Sequence, residues 1–283
     1  MYDLHIHTNH SDGGDSPNSI LQKAEKLGLA VISITDHDNC KAYFNLDRSL
    51  FSGRIITGIE LDAYIDGLSI ELLGYGFDVD EMYESIEKLR QQFGSTNLEM
   101  LKSLYERSLE LGMKFPPNLI ENYDRDKYYY ATEYLHSQMR EFPENKALVP
   151  DEGSWRQENI FFKRHTSNPA SPFYINKSDL SPSVGIIVDT IHGAGGKVFI
   201  PHIYQYEEHS ETLLYALLDN YDIDGIECFY PSFTQEQSDY LLDLCKTRNL
   251  LVSGGSDYHG DKRPGSMGVK DAGRLDGMAM WAL

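Results

Sequence analysis

Short apolar runs recur along the chain at Tyr2–His7, Val31–Thr35, Ile55–Glu60, Ile70–Tyr75, Lys197–His202, Gly225–Phe229 and Leu250–Gly254. Runs this short, rich in β-branched residues, read as buried strands. Between them Ser19–Leu27, Ser183–Ala194 and Gln235–Arg248 carry apolar residues at helical spacing. Such alternation predicts an α/β barrel or a parallel sheet. A doubly wound sheet has the same rhythm, but the chain lacks the glycine-rich phosphate fingerprints that would support one.

The rhythm changes between Asp80 and Leu180. Glu81–Gln92 and Asn97–Leu111 read as helices, the second stopped by Gly112 and Pro116-Pro117, and Tyr128–Met139 reads as a third. Glu141–Ser183 is polar, rich in proline and asparagine, and shows no period, so it is expected to lie outside any core. Residues 1–80 and 181–283 therefore read as one α/β body, and 81–180 as a mainly helical insertion covering the site. Asp66-Gly67 reads as a turn.

At 283 residues the chain is long enough for one large domain or for a core with an inserted subdomain. No stretch approaches the roughly 20 apolar residues of a spanning helix, which predicts no membrane partner. The three cysteines, Cys40, Cys228 and Cys245, are odd in number and scattered, so no disulfide framework is expected. With a candidate strand starting at Tyr2 there is no room for a leader, and a cytoplasmic protein is expected. The net charge of −19 argues against an extended nucleic-acid surface. It is compatible with a phosphorylated substrate, because bound divalent cations reverse the local sign of an acidic pocket. Oligomeric state is not legible.

Candidate chemistry collects at the strand ends. His5 and His7 end the first run, two residues apart and so on one face. Asp12 follows in Ser11-Asp12-Gly13-Gly14. The second run leads into Thr35-Asp36-His37-Asp38, the third ends on Glu60, the fifth runs into His202, and the last into Ser256-Asp257-Tyr258-His259. In α/β barrels that end of the strands carries the active site. Taken singly, a histidine at a strand end is usually a surface residue. Five histidines and three carboxylates recurring there are hard to explain separately, because buried charges need partners or metals. His10, His136, His192 and His209 have no such placement and stay outside the set.

These residues give the chain a resemblance to the PHP (polymerase and histidinol phosphatase) superfamily of metal-dependent phosphoesterases. The matching segments are Asp3-Leu4-His5-Ile6-His7-Thr8, Ser11-Asp12-Gly13, Thr35-Asp36-His37-Asp38, Gly58-Ile59-Glu60, Leu73-Gly74-Tyr75, Gly195-Gly196-Lys197 with His202, and Gly255-Ser256-Asp257-Tyr258-His259-Gly260. The chain most resembles the stand-alone members that carry a helical insertion. The resemblance implies a distorted (β/α)7 barrel holding two or three divalent transition metal ions, zinc, manganese or iron. It further implies that His5, His7, Glu60 and Asp257 hold one ion, that Glu60 bridges to a second also bound by His202, and that Asp12, His37 and His259 hold the third. Catalysis would fall to Glu60, His202 and Asp257. Such ions, about 3.5–4 Å apart, can share a bridging hydroxide and clamp a phosphoryl group during in-line attack.

The chain departs from the family pattern in three places. Glu71 stands where a histidine is usual, and would ligate the second ion with an anion instead of a neutral ring. Pro201-His202-Ile203 lacks the proline that usually follows this histidine. Ser95-Thr96-Asn97 and Tyr128-Tyr129-Tyr130 stand roughly where related insertions supply an arginine pair and a histidine. Lys163, Arg164 and His165, with Arg263 beside Lys262, are the candidate replacements for binding substrate phosphate, since arginine matches phosphate bidentately.

The expected function is hydrolysis of a phosphate monoester or diester in a small metabolite or nucleotide. Histidinol-phosphate phosphatase is the second enzyme reading, and a catalytically decayed metal-binding regulatory module is the alternative of another class. A polymerase-associated proofreading domain fits worst, given the acidity.

Overall fold

The computed structural model describes residues 1–93, 96–124, 128, 130–176, 178, 180–263 and 265–269, without the side chains of residues 96, 97, 159 and 163. Seven strands form one sheet in chain order: β1 Tyr2–Asp3, β2 Val31–Ile34, β3 Arg54–Ile65, β4 Leu68–Tyr75, β5 Lys197–Ile200, β6 Gly225–Phe229 and β7 Leu251–Gly254. β1, β2 and β3 pair in parallel, as do β5, β6 and β7, while β4 runs antiparallel to β5. The sheet's two ends meet just beyond β1 and β7. The Leu4 amide donates to the Gly254 carbonyl at 3.1 Å and the His7 amide to the Tyr258 carbonyl at 2.9 Å. Ile6 and Tyr258 form a parallel bridge. The result is a nearly closed, mixed seven-stranded α/β barrel, as the resemblance implied.

All seven expected strands are present, and the largest changes of length are in β1 and β3. β1 stops at Asp3, because the backbone beyond it bonds to loops on both sides instead of to one ladder. Thr35, for example, donates its amide to the Ile6 carbonyl at 2.8 Å. β3 continues past Glu60, since Leu61, Ala63 and Ile65 keep alternate side chains buried. It ends at Asp66-Gly67, where φ values of 47° and 92° make the two-residue turn into β4.

The helices that cover the barrel follow sequence rules. Pro17–Leu27 starts at Ser16, whose hydroxyl accepts from the Ser19 amide, and stops at Gly28 with φ 66°. Ile20, Leu21 and Ala24 are its buried stripe. Val184–Gly193 buries Val184, Ile187, Val188 and Ile191, and Gln235–Arg248 opens with a capping box between Thr234 and Gln237. Ser210–Asn220 is an addition to the expected helices; Leu213, Leu214 and Leu217 form its buried stripe. No helix among the described residues is long and apolar enough to cross a membrane.

Two compact units emerge. The first comprises Met1–Ala63, Glu71–Glu87 and Val184–Leu283, the second Tyr64–Ile70 and Lys88–Ser183. Their border falls inside the helix Val79–Phe93, a few residues past the expected start of the insertion. The second unit has a core of its own, in which Leu101, Leu104 and Leu135 meet Val149, Phe161 and Phe173. The last three correct the expectation that Glu141–Ser183 lies outside any core. That segment shows no period because short turns carry it: Pro143–Ala147, Glu152–Arg156, Glu158–Phe161 and the π-helical turn Phe162–Thr166. Asn145 ties that segment to the rest of the unit, donating to the carbonyls of Lys114 at 2.7 Å and Met139 at 2.8 Å. The helix expected at Tyr128 begins at Ala131, with Tyr130 at its cap and Tyr128 packed on this core. Ser95 and Tyr129 lie outside the described residues.

Candidate metal centre

The strands deliver their polar residues to one end of the barrel. β1 leads to His5 and His7, β2 to His37, β5 to His202 and β7 to Asp257 and His259, while β3 places Glu60 and β4 places Glu71. Alternation fixes the facing: Ile59 and Leu61 are buried on the opposite side from Glu60, and Ile70 and Leu72 on the opposite side from Glu71. Crowding makes two glycines necessary. A Cβ at Gly255 would collide with the backbone and Cβ of His5, and one at Gly13 would sit 2.5 Å from the His7 carbonyl oxygen. Three non-glycine residues here hold positive φ, Asp38 at 47°, His202 at 21° and Asp257 at 51°. Backbone strain of this kind, about 1–3 kcal/mol each, gathers where geometry serves function.

Glu60 sits at the centre. Its Oε2 lies 3.2 Å from Nε2 of both His5 and His7 and 3.4 Å from His37 Nδ1, and its Oε1 lies 3.0 Å from His202 Nε2. Asp257 Oδ1 stands 3.1 Å from His7 Nε2, and Asp12 Oδ2 3.0 Å from His259 Nε2. Glu71 reaches His202 Nε2 at 3.4 Å and His37 Nδ1 at 3.7 Å. Ligand atoms within 4.8 Å of one another form four groups: His7, Asp12, His37 and His259; His5, His7 and Asp257; His5, Glu60 and His202; and His37, Asp62 and Glu71. All nine expected ligands thus fall in one constellation.

The donor set fits divalent ions on two grounds. His7 is fully buried, yet neither ring nitrogen makes a hydrogen bond among the described residues, and His202 Nδ1 is in the same position. Buried polar atoms left this way cost free energy unless something else satisfies them. The charge balance is the second ground. Burial opposes charging of His7, but the nearby Asp257, Glu60 and Asp12 push its pKa up to about 10. His202, equally hindered by burial, is pushed up to about 9 by Glu60 and Glu71. Burial would raise the carboxyl of Glu60, yet His5 and His37 hold it well below the usual range. Confinement and the nearby Glu60 push Glu71 up to about 7. The metal-free cluster therefore keeps protons where cations would balance its carboxylates.

Two residues of this constellation escaped the sequence reading. Asp62 lies two positions after Glu60 and so on the same face of β3, a spacing that could have exposed it. Glu227 is fully buried in β6. Its Oε1 accepts from His5 Nδ1 at 3.1 Å and its Oε2 from the His202 amide at 2.8 Å, so one carboxylate orients two candidate ligands. A carboxylate inside the apolar run Gly225–Phe229 was the signal, since such a group needs partners.

The expected phosphate-binding residues are placed differently. Arg263 is half exposed and donates to Asp12 Oδ2 at 2.7 Å, at the edge of the constellation. Arg164 and His165 belong to the second unit. There Arg164 pairs with Asp151 at 2.9 Å, and His165 Nδ1 lies 3.2 Å from Ser171 Oγ with its ring against Phe161 and Phe173. The side chain of Lys163 lies outside the described residues.

Comparison with known proteins agrees with this geometry. The PHP domain model matches residues 3–153, more than half of the chain, and the chain belongs to that family. It is similar to a 5'-3' exoribonuclease of Haemophilus influenzae, 27% identical over 91% of this chain and 89% of the relative. It is also similar to a phosphoribosyl 1,2-cyclic phosphate 1,2-diphosphodiesterase of Eggerthella lenta, 26% identical over 91% and 94%. Among solved structures, a Bifidobacterium adolescentis protein described as a metal-dependent phosphoesterase superposes with a TM-score of 0.69 at 23% identity, covering 97% of this chain and 94% of its own. That likeness establishes the fold.

Proposed function

We propose that the protein is a metal-dependent phosphoesterase that hydrolyses a phosphate ester of a small metabolite or nucleotide, with a ribose-phosphate ester as its substrate class. The observation that carries this reading is Glu60, one buried carboxylate within 3.4 Å of four imidazoles. His5, His7, Glu60 and Asp257 would hold one ion, Glu60 with His202 and Glu71 a second, and Asp12, His37 and His259 a third. Bound ions would supply Lewis acidity, activating water and neutralising phosphoryl charge. Mixed imidazole and carboxylate donors suit zinc, manganese or iron.

The chain's own residues would do the rest. Glu227 holds the His5 ring with Nε2 toward the cluster, as a carboxylate behind a metal-ligating histidine does. Arg263, tethered to Asp12, would meet a substrate phosphate, with Lys163, Arg164 and His165 as further candidates. The ribose class is supported by the two relatives, one acting on RNA by name and the other on a phosphoribosyl cyclic phosphate.

A turnover screen with manganese, zinc and iron tests the reading. It covers short oligoribonucleotides, 3',5'-nucleoside bisphosphates, ribose cyclic phosphates and histidinol phosphate. Turnover of the ribose esters, lost in Glu60→Ala, is the expected result. Turnover of histidinol phosphate alone overturns the substrate class, and metal-loaded protein inert toward every ester favours the regulatory module.

A further inference from the structure

Tyr230 follows β6 directly and stands beside the candidate ligands without being one. Its hydroxyl donates to Asp257 Oδ2 at 2.8 Å and accepts from Gln205 Nε2 at 2.9 Å. The other oxygen of Asp257 faces the histidines: Oδ1 lies 3.1 Å from His7 Nε2, 3.5 Å from His259 Nδ1 and 3.6 Å from His5 Nε2. The two oxygens of one carboxylate are thus divided between a phenol and the imidazole cluster. Asp257 needs such a restraint. It lies in the loop after β7 at a φ of 51°, outside any strand ladder that would set its direction.

The position of the phenol does not depend on that hydrogen bond. Its ring stands edge-on to His202, with centroids 5.5 Å apart, and packs on Phe233 at 5.3 Å, which in turn packs on Tyr204 at 5.0 Å. Two aromatic neighbours, one of them backed by Tyr204, fix the ring, and the hydroxyl then fixes the carboxylate.

We propose that Tyr230 is a positioning residue that confines Asp257 to one-oxygen binding of a metal ion. The proposal rests on the reading of Asp257 as a metal ligand. Without the phenol, Asp257 is free to turn away from the ion, which costs affinity, or to turn both oxygens to it, which alters the ion's surroundings. Groups that hold a ligand from behind are typically worth about 10–100-fold in metal affinity. A single hydrogen bond to a carboxylate belongs at the low end, about tenfold.

The experiment is Tyr230→Phe, which keeps the ring and its aromatic contacts and removes only the hydroxyl. Manganese and zinc affinities are measured by chelator competition for both proteins, beside the melting temperature of each metal-free form and the manganese electron paramagnetic resonance spectrum. The expected result is about tenfold weaker binding of one ion and an altered manganese spectrum, with the metal-free melting temperature unchanged. Wild-type affinity and spectrum in Tyr230→Phe overturn the positioning role. So does weaker binding that comes with an equally destabilised metal-free fold, since that marks a packing residue. If the wild-type protein binds neither metal, it is the metal-centre reading that fails.

Discussion

His7 in the barrel and His136 in the second unit are almost equally enclosed, 0% and 2% exposed, yet their surroundings differ in kind. The ring of His136 has a neutral partner, with Nε2 2.9 Å from the Ser154 carbonyl, and burial lowers its pKa. It is a structural histidine, uncharged and satisfied. His7 has no hydrogen-bond partner among the described residues but three carboxylates close by, and its pKa rises to about 10. Burial alone therefore says nothing about function. What separates the two regions is whether the enclosed ring meets one neutral acceptor or several charges that only a cation can balance.

The largest expected effect comes from removing the group that makes the barrel end distinctive. Glu60→Ala should lose more than one metal ion per chain by elemental analysis, and turnover should vanish, because this carboxylate borders four imidazoles. Loss of a single ion would count against its bridging role.

A pH series sharpens the contrast next. His7 and His202 have pKa values raised from 6.5 to about 10 and about 9, so their contribution to the metal-free fold is complete below about 6.5 and lost as pH rises through those values. Metal-free protein should therefore melt at progressively lower temperature between about pH 7 and 10. Metal-loaded protein should not, since ions replace the protons. His136 acts in the opposite sense. Its lowered pKa means the unfolded chain takes up a proton more readily as pH falls through 6.5. Protection factors in the helix Ala131–Met139, which correct for the intrinsic slowing of amide exchange in acid, should accordingly fall on acidification.

Glu71→His asks how much of the anionic character is specific to this chain. It raises the net charge of a loaded cluster by one unit. It should tighten metal binding at the second position and move the basic pH–rate optimum downward, with full occupancy confirmed in both proteins. Unaltered metal content and pH profile would mean that Glu71 is not a ligand.

The smallest effect is expected in the second unit. Arg164→Ala breaks an exposed, solvent-screened pair with Asp151, so the melting temperature should barely change. If Arg164 meets the substrate phosphate, kcat/KM falls about tenfold, because a hydrogen-bonded charge contact contributes roughly 1.5–3 kcal/mol. Unchanged kinetics would leave Asp151 as its whole role.

The same contrast explains what could be read from the chain. Most of the candidate ligands were legible because they sit at or just beyond the end of a buried strand run, and runs such as Val31–Ile34 announce themselves by composition. Glu71, inside its run, was reached only through the family resemblance. Glu227 and Asp62 were not, because one interrupts a run read as purely apolar and the other looks like an ordinary polar alternate. In the second unit the apolar anchors Val149, Phe161 and Phe173 are separated by turns whose backbone bonds are local and form no repeating ladder. No period exists there to be read.

The closure of the barrel carries a consequence for how the protein folds. The contacts that join its two ends also carry the candidate ligands, and the Ser256 amide donates to Asp3 Oδ1 across 253 positions of chain. His5 and His7 lie on one side of that seam, Asp257 and His259 on the other. Their meeting is among the most sequence-distant events in folding, so it comes late and depends on everything between. An ion held by both sides would act as a latch on the seam, tying the chain's first strand to its last. Metal uptake would then report that folding is complete, and metal release would accompany the first opening of the barrel.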